Sequence, residues 1–134
     1  MEGALKILLV EDNQPLAQTT AKLIERLGGH QVLITVEPEE IFHQCEIGAV
    51  ELVLMDINLP GVRWQGQKMD GTRLSYLLKT RWQQIPIIVI TAYTMMSEQS
   101  LLLNQSHADC CYTKPITDYA ALLDVITQLG QRSS

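Results

Sequence analysis

The sequence has no long apolar run, no surplus of positive charge and no cysteine framework. Each lack removes a class of protein. A membrane-spanning helix needs roughly 20 consecutive apolar residues, and no stretch approaches that, so no membrane partner is expected. The formal net charge is −5, and an acidic surface is a poor non-specific binder of nucleic acid or anionic lipid. Direct nucleic-acid binding is therefore not expected either. The cysteines are Cys45, Cys110 and Cys111, odd in number and with two adjacent. Neither a disulfide framework nor a zinc site has that spacing, and His30, His43 and His107 are scattered. The cysteines read as packing residues. An apolar strand begins within a few residues of Met1, which leaves no room for a signal peptide and points to a cytoplasmic protein.

What is present is a core. The 134 residues are 46 % hydrophobic and 19 % charged, a balance that suits one compact domain over 1–134 rather than a disordered chain. Strands and helices alternate. Leu5-Lys6-Ile7-Leu8-Leu9-Val10 is an apolar strand ending in Glu11-Asp12. Asn13 is placed to cap a helix with Pro15 in its first turn. That helix carries Leu16, Thr19, Thr20, Leu23 and Leu27 at helical spacing, and Gly28-Gly29 stop it. His30 to Thr35 reads as a second strand, and Pro38 opens a short helix with Ile41, Phe42 and Cys45 inward. Val50 to Asp56 is a third strand. After a long loop, Asp70-Gly71 precede a helix with Leu74, Leu77 and Leu78. Pro86 to Ile90 is a fourth strand, ending in Thr91-Ala92, and Ser97 to Gln105 a weaker helix. Asp109 to Thr113 is a fifth strand. Lys114-Pro115 lead into a last helix ending near Leu129, with a frayed tail over 130–134. This alternation implies an α/β fold, a doubly wound parallel sheet of five strands with five helices on its two faces.

In such a sheet ligands bind outside the carboxyl ends of the strands. Those ends deliver Glu11 and Asp12, Asp56, Thr91 and Lys114 to one edge. Three carboxylates, a hydroxyl and an ammonium suit a hard cation such as Mg²⁺, and with it phosphoryl transfer, whose charge must be neutralised by metal and cation. A carboxylate is itself a competent nucleophile, giving an acyl phosphate. Each residue alone has a bland reading. Acids are favoured at helix N-termini, Thr91 could cap a helix, Asp56 could cap a turn and Lys114 could be a surface lysine. Together the bland readings need four coincidences.

The pieces Leu9-Val10-Glu11-Asp12-Asn13, Leu54-Met55-Asp56-Ile57-Asn58-Leu59-Pro60, Met69-Asp70-Gly71, Ile90-Thr91-Ala92 and Thr113-Lys114-Pro115 occur in that order. With them the chain resembles the receiver domain of two-component response regulators, the chemotaxis regulators among them, over essentially its whole length. The resemblance implies a flavodoxin-like fold, a three-layer sandwich with strand order 2-1-3-4-5. It implies that Asp56 accepts a phosphoryl group from a phosphohistidine, on a sensor histidine kinase or a histidine phosphotransfer protein. It implies Mg²⁺ held by Glu11, Asp12, Asp56 and the backbone carbonyl of Asn58. Lys114 would pair with the phosphoryl oxygens, Thr91 would turn to hydrogen-bond them, and a cis bond would join Lys114 to Pro115. The protein would assist its own phosphorylation and dephosphorylation without being an enzyme in the usual sense. It would present a changed surface to a downstream protein target, as a monomer or a weak phosphorylation-dependent dimer. Alternatives are a phosphorelay intermediate, a pseudo-receiver acting only by contact, and a phosphatase of the haloacid dehalogenase type. The last needs a second Asp two residues after the nucleophile, where this chain has Asn58. With five residues left after Leu129, no DNA-binding output domain is expected to follow, so the output is expected to be protein contact, phosphorelay or a domain outside this sequence.

The chain departs from the family at three places. Pro60 and Asp70 are ten positions apart, where the family has a few, and the extra segment Val62 to Lys68 carries Arg63, Trp64 and Lys68. Trp and Arg are favoured interface anchors, so the segment is a candidate partner or phosphate-access element, its rival being a tolerated surface insertion. At the switch position, where the family has Tyr or Phe, stands Cys111. Tyr112 comes one residue later and so points to the opposite face. Coupling from Thr91 through an aromatic ring is expected to be weaker or different, with Tyr93 as a substitute or as a gate over the site. Finally, His107 stands where the family often has a glycine, and a left-handed conformation there is open to His but less comfortable than for glycine.

Overall fold

The computed structural model describes residues 3–132. Five strands form one parallel sheet: β1 (Lys6–Val10), β2 (Gln31–Ile34), β3 (Leu52–Asp56), β6 (Ile87–Thr91) and β7 (Cys110–Thr113). The short strands β4 (Arg63–Trp64) and β5 (Gln67–Lys68) form a separate hairpin. The helices are α1 (Gln14–Gly28), α2 (Pro38–Glu46), α3 (Gly71–Arg81), α4 (Met96–Ser106) and α5 (Tyr119–Arg132). The sheet order is β2-β1-β3-β6-β7. With the hairpin set aside, this is the flavodoxin-like order that the resemblance implied.

The strands owe their apolar runs to burial on both faces. β3 and β6 are buried at every residue. Alternate residues of a strand point to opposite faces, and the core divides accordingly. Leu8, Val10, Val53, Met55, Ile87 and Val89 meet Ile41, Cys45, Leu74, Leu78 and Leu102 from α2, α3 and α4. Ile7, Leu9, Leu52, Leu54, Ile88 and Ile90 meet Ala17, Ala21 and Ile24 of α1 and Leu122, Ile126 and Leu129 of α5.

Three expectations need correction. The buried face of α1 is Ala17, Thr20, Ala21 and Ile24, while Leu16 and Leu27 are 40 % and 62 % exposed. Two stripes of the same helical spacing lie side by side on α1, and the stripe with the smaller residues faces the sheet and α5. The last helix runs on to Arg132, past Leu129. Gly130 is buried because its bare Cα lies against Leu5, whose Cδ1 a methyl group there would meet at 2.7 Å. Of the frayed tail expected over 130–134, residues 130–132 are helical, and 133 and 134 lie outside the described residues. The third correction is the long loop after β3, which contains the β4–β5 hairpin. Its turn residues Gln65 and Gly66 have φ of 52° and 78°, the pair of positive φ values that a tight hairpin turn requires. Its strands pair Arg63 with Lys68 and Trp64 with Gln67.

Trp64 fastens the hairpin to the body. It meets Phe42 of α2 edge-on with ring centroids 5.0 Å apart, and Phe42 stacks on Trp82. Trp64 is thus half-buried and spent on packing, whereas Arg63, Gln67 and Lys68 stay exposed. The structure also places the other two departures. His107 caps α4 at φ 57°, and Cys111 and Tyr112 pack against opposite cores.

Candidate functional site

β1, β3, β6 and β7 are successive neighbours in the sheet, so their carboxyl ends form one continuous edge. Glu11 and Asp12 are the two residues after β1, Asp56 and Thr91 end β3 and β6, and Lys114 follows β7. The structure therefore brings these five together. Carboxylate oxygens of Glu11, Asp12 and Asp56 all lie within 4.8 Å of one another. Lys114 Nζ donates to Asp56 Oδ2 at 3.0 Å and to Glu11 Oε1 at 3.4 Å.

Each group is held by its own stretch of chain. The Asn13 amide donates to Glu11 Oε2 at 3.1 Å, and the Asn13 side chain caps α1 by accepting from the Leu16 amide. The Asn58 amide donates to Asp56 Oδ1 at 3.1 Å. The Lys114 amide donates to the Thr91 carbonyl at 2.8 Å, and the Lys114–Pro115 bond is cis. Behind Asp56, the Gly71 amide donates to the Ile57 carbonyl at 3.0 Å. Only glycine fits there, because a Cβ on residue 71 would strike the Asp56 carbonyl oxygen. The Asp70-Gly71 pair thus combines an N-cap, through Asp70 accepting from the Arg73 amide, with close backbone approach.

The electrostatics are those of an unbalanced site. Three carboxylates face one ammonium, and Glu11 and Asp56 are only 6 % and 2 % exposed. Burial above all pushes the Glu11 carboxyl up to about 7. The neighbouring Asp56 adds to this, while the Asn13 amide bond and Lys114 oppose it. For Lys114, burial works against its charge, but the bonds and charges of Asp56 and Glu11 outweigh burial and hold the ammonium above its ordinary value. Three carboxylates against one ammonium leave a set of hard oxygen donors short of positive charge, which a divalent cation such as Mg²⁺ would supply, so the donor set fits that ion.

Thr91 is buried, and its Oγ1 accepts from the Tyr93 amide at 3.0 Å. Tyr93 itself is 43 % exposed. Tyr112 donates its hydroxyl to the Asp118 carbonyl at 3.1 Å. One residue that the sequence did not mark stands out. Gln99 of α4 donates to the Tyr93 carbonyl at 2.7 Å and to Thr113 Oγ1 at 3.1 Å. It ties the loop after Thr91 to the strand before Lys114. No sequence signal distinguishes it from any polar residue in a first helical turn. Cys45, Cys110 and Cys111 are free, and burial raises all three thiols above their ordinary value, Cys45 to about 11. This suits packing.

Comparison with known proteins gives the same picture. The family model described as the response regulator receiver domain matches residues 7–127. The response regulator protein FleR of Pseudomonas aeruginosa is 33 % identical over 130 residues, covering 96 % of this chain and 25 % of FleR. The CAI-1 autoinducer sensor kinase/phosphatase CqsS of Vibrio cholerae is 35 % identical over 86 residues, covering 64 % of this chain and 12 % of CqsS. The chain thus spans a quarter or less of the length of these relatives. Among solved structures, a chemotaxis-regulator-like receiver domain from Methanospirillum hungatei JF-1 superposes with a TM-score of 0.75 at 25 % identity, covering 98 % of this chain and 99 % of that one.

Proposed function

Because this chain belongs to the receiver domains of two-component response regulators, we propose that it works as a phospho-acceptor switch in which Asp56 takes a phosphoryl group from a phosphohistidine. The observation that carries the proposal is the pairing of Lys114 with Asp56 at 3.0 Å beside the Glu11–Asp12–Asp56 cluster. A nucleophilic carboxylate, a metal-binding set and a fixed cation meet at one point. A carboxylate oxygen of Asp56 forms the new P–O bond as the P–N bond of the donor breaks, and the leaving imidazole keeps the electron pair and takes up a proton. Lys114 would pair with the phosphoryl oxygens once Asp56 carries the acyl phosphate. Asn58 holds the other Asp56 oxygen and fixes the carboxylate plane. Mg²⁺, held by Glu11, Asp12, Asp56 and the Asn58 carbonyl, would neutralise charge on the transferring group. Thr91 Oγ1, which now accepts from the Tyr93 amide, would turn to donate its hydroxyl to a phosphoryl oxygen, and that would move the loop ahead of α4.

The donor is then a sensor histidine kinase or a histidine phosphotransfer protein in the cytoplasm, and the output is contact with a downstream protein. The match to part of a sensor kinase favours, as a second reading, a phosphorelay role in which Asp56 passes the group on to another histidine. Incubation with Mg²⁺ and acetyl phosphate should give an acid-stable, base-labile adduct that Asp56→Ala abolishes. No adduct from acetyl phosphate or from any phosphorylated histidine donor would leave a module acting by contact alone.

A further inference from the structure

A cleft of about 1090 Å³ runs between α3 and α4, closed at one end by the hairpin side of the loop after β3. Its floor is apolar, with Leu59, Val62, Met69 and Leu102 all buried. Along it stand Tyr76, Tyr93 and Leu101, which are 44 %, 43 % and 56 % exposed. Three large side chains left in water around one cleft are a patch and not scattered exposure.

The hairpin end supplies the charge. Between positions 63 and 73 the cations Arg63, Lys68 and Arg73 stand against one acid, Asp70, in a chain whose net charge is −5. The Asp70 carboxylate already accepts from the Arg73 amide at 2.9 Å. Arg63 and Lys68 are direct cross-strand partners, and like charges in that position destabilise a strand pair. Arg73 reaches the same strand through Gln67 Oε1. Among the described residues no carboxylate lies within ion-pair distance of any of the three, every such pair being formed by Lys79 or Lys114. Local folding does not call for this cluster. Trp64 holds the hairpin from its other side, and Arg63 and Arg73 bond only neutral oxygens, the Gly66 carbonyl and Gln67 Oε1, so the three exposed cations stay unpaired by any acid.

We propose that the cleft between α3 and α4 is a docking site for an acidic, amphipathic segment of a partner protein, with Tyr76, Tyr93 and Leu101 taking its apolar side and Arg63, Lys68 and Arg73 its acidic side. Helix-in-groove recognition uses such a division between apolar anchors and flanking charge. The other wall carries Glu98, which sets the direction of the segment because acids placed there would be repelled. The cleft also reaches Asn58, two residues from Asp56, and Tyr93, two residues from Thr91. Occupancy and the state of the edge above it therefore share residues, and any preference of the segment for one state would be reciprocal. The docking surface itself exists whether or not Asp56 accepts a phosphoryl group.

The test uses the unmodified chain and a fluorescent, helix-stapled peptide with leucines at i, i+4 and i+7 and glutamates along one flank. Its control carries lysines in place of the glutamates. Fluorescence anisotropy should show the glutamate peptide binding at least about tenfold tighter, with binding weakened by salt. Leu101→Ser should abolish binding. Lys68→Glu should weaken it while raising the melting temperature, since it converts the Arg63 pair into an attractive one. A gain in stability cannot be confused with a failure to fold. Amide shifts in a titration should fall on α3, α4 and the hairpin. Equal binding of both peptides, unchanged binding by Lys68→Glu, or shifts on other faces would overturn the proposal. So would a single-stranded oligonucleotide that displaces the glutamate peptide from the same cations at lower concentration.

Discussion

A methyl group at position 71 would strike the Asp56 carbonyl oxygen and come within 2.6 Å of the Ile57 Cα. Both are backbone atoms of the segment that carries Asp56, so neither can turn aside as a side-chain tip would. Overpacking costs about 1–3 kcal/mol, and an all-backbone contact belongs at the upper end. Gly71→Ala is expected to lower stability by about 3 kcal/mol in urea unfolding. By displacing Asp56 it should also slow adduct formation about tenfold or more. Glu11 gives a second prediction at this scale, with the opposite sign for stability. Its carboxyl is raised from 4.5 to about 7 in the fold. Between those values the folded state binds more protons than the unfolded one, so stability is full below about 4.5 and falls as pH rises towards 7. Urea unfolding without metal from pH 5 to 8 should show a loss on the order of 2 kcal/mol. Glu11→Gln should flatten that slope. Added Mg²⁺ should restore stability chiefly above pH 7, where the carboxylate is free to bind it. A slope that survives in Glu11→Gln would assign the pH dependence to another group.

Among the elements, the connection between β6 and α4 is tied to β7 by a polar side chain. With Cys111 on one core and Tyr112 on the other, no ring stands where the family has one. Gln99 bridges the Tyr93 carbonyl to Thr113 instead. Gln99→Ala should cost only about 1 kcal/mol, the net worth of hydrogen bonds near the surface. It should also cut the amide-shift response of Cys111 to Thr113 when beryllofluoride occupies the site. An undiminished response would show that the signal reaches β7 by another route. The elements also show what was readable beforehand. The five sheet strands could be read because strands covered on both faces are unbroken apolar runs, such as Leu52 to Met55 and Ile87 to Ile90. The site followed from them, since Asp12, Asp56, Thr91 and Lys114 lie at or just beyond their ends. The hairpin could not be read. Arg63–Trp64 and Gln67–Lys68 are too short for any periodicity, and Gln-Gly is a weaker turn signal than Asn-Gly. On α1, leucines marked one stripe and alanines the other, and residue size, which apolar spacing does not weigh, decided which faced the sheet. Gln99 acts across 14 residues by geometry alone.

Across the whole molecule, the edge proposed to carry chemistry and the edge that carries polar stabilisation are opposite ends of the same strands. At the carboxyl edge, buried carboxylates outnumber cations and stability is expected to fall as Glu11 ionises. At the amino edge the polar groups are matched. Lys79 Nζ donates to Asp109 Oδ2 at 2.9 Å and to the carbonyls of Gln83 and Ile85, and the same Asp109 oxygen accepts from the Ile87 amide at 2.8 Å. His30 accepts from the Leu5 amide, and Glu51 from the Lys6 amide. The Lys79 side chain is 12 % exposed and the Asp109 side chain 25 %, so solvent screens the pair only in part. Lys79→Met keeps the apolar stem but leaves two carbonyls and a carboxylate oxygen short of a donor. Its cost should be about 2 kcal/mol, between that of a surface pair and that of a buried one. The effect should stop there, because β6 is buried from end to end and holds Thr91 in register from inside the sheet. The expected result for Lys79→Met is a lower urea midpoint with an unchanged rate of adduct formation at Asp56. For Glu11→Gln it is the reverse, a higher midpoint at pH 8 without metal and a much slower reaction. If Lys79→Met slowed the reaction as much as it lowered the midpoint, the two edges would be coupled through the sheet, and the separation argued from their charge balance would fail.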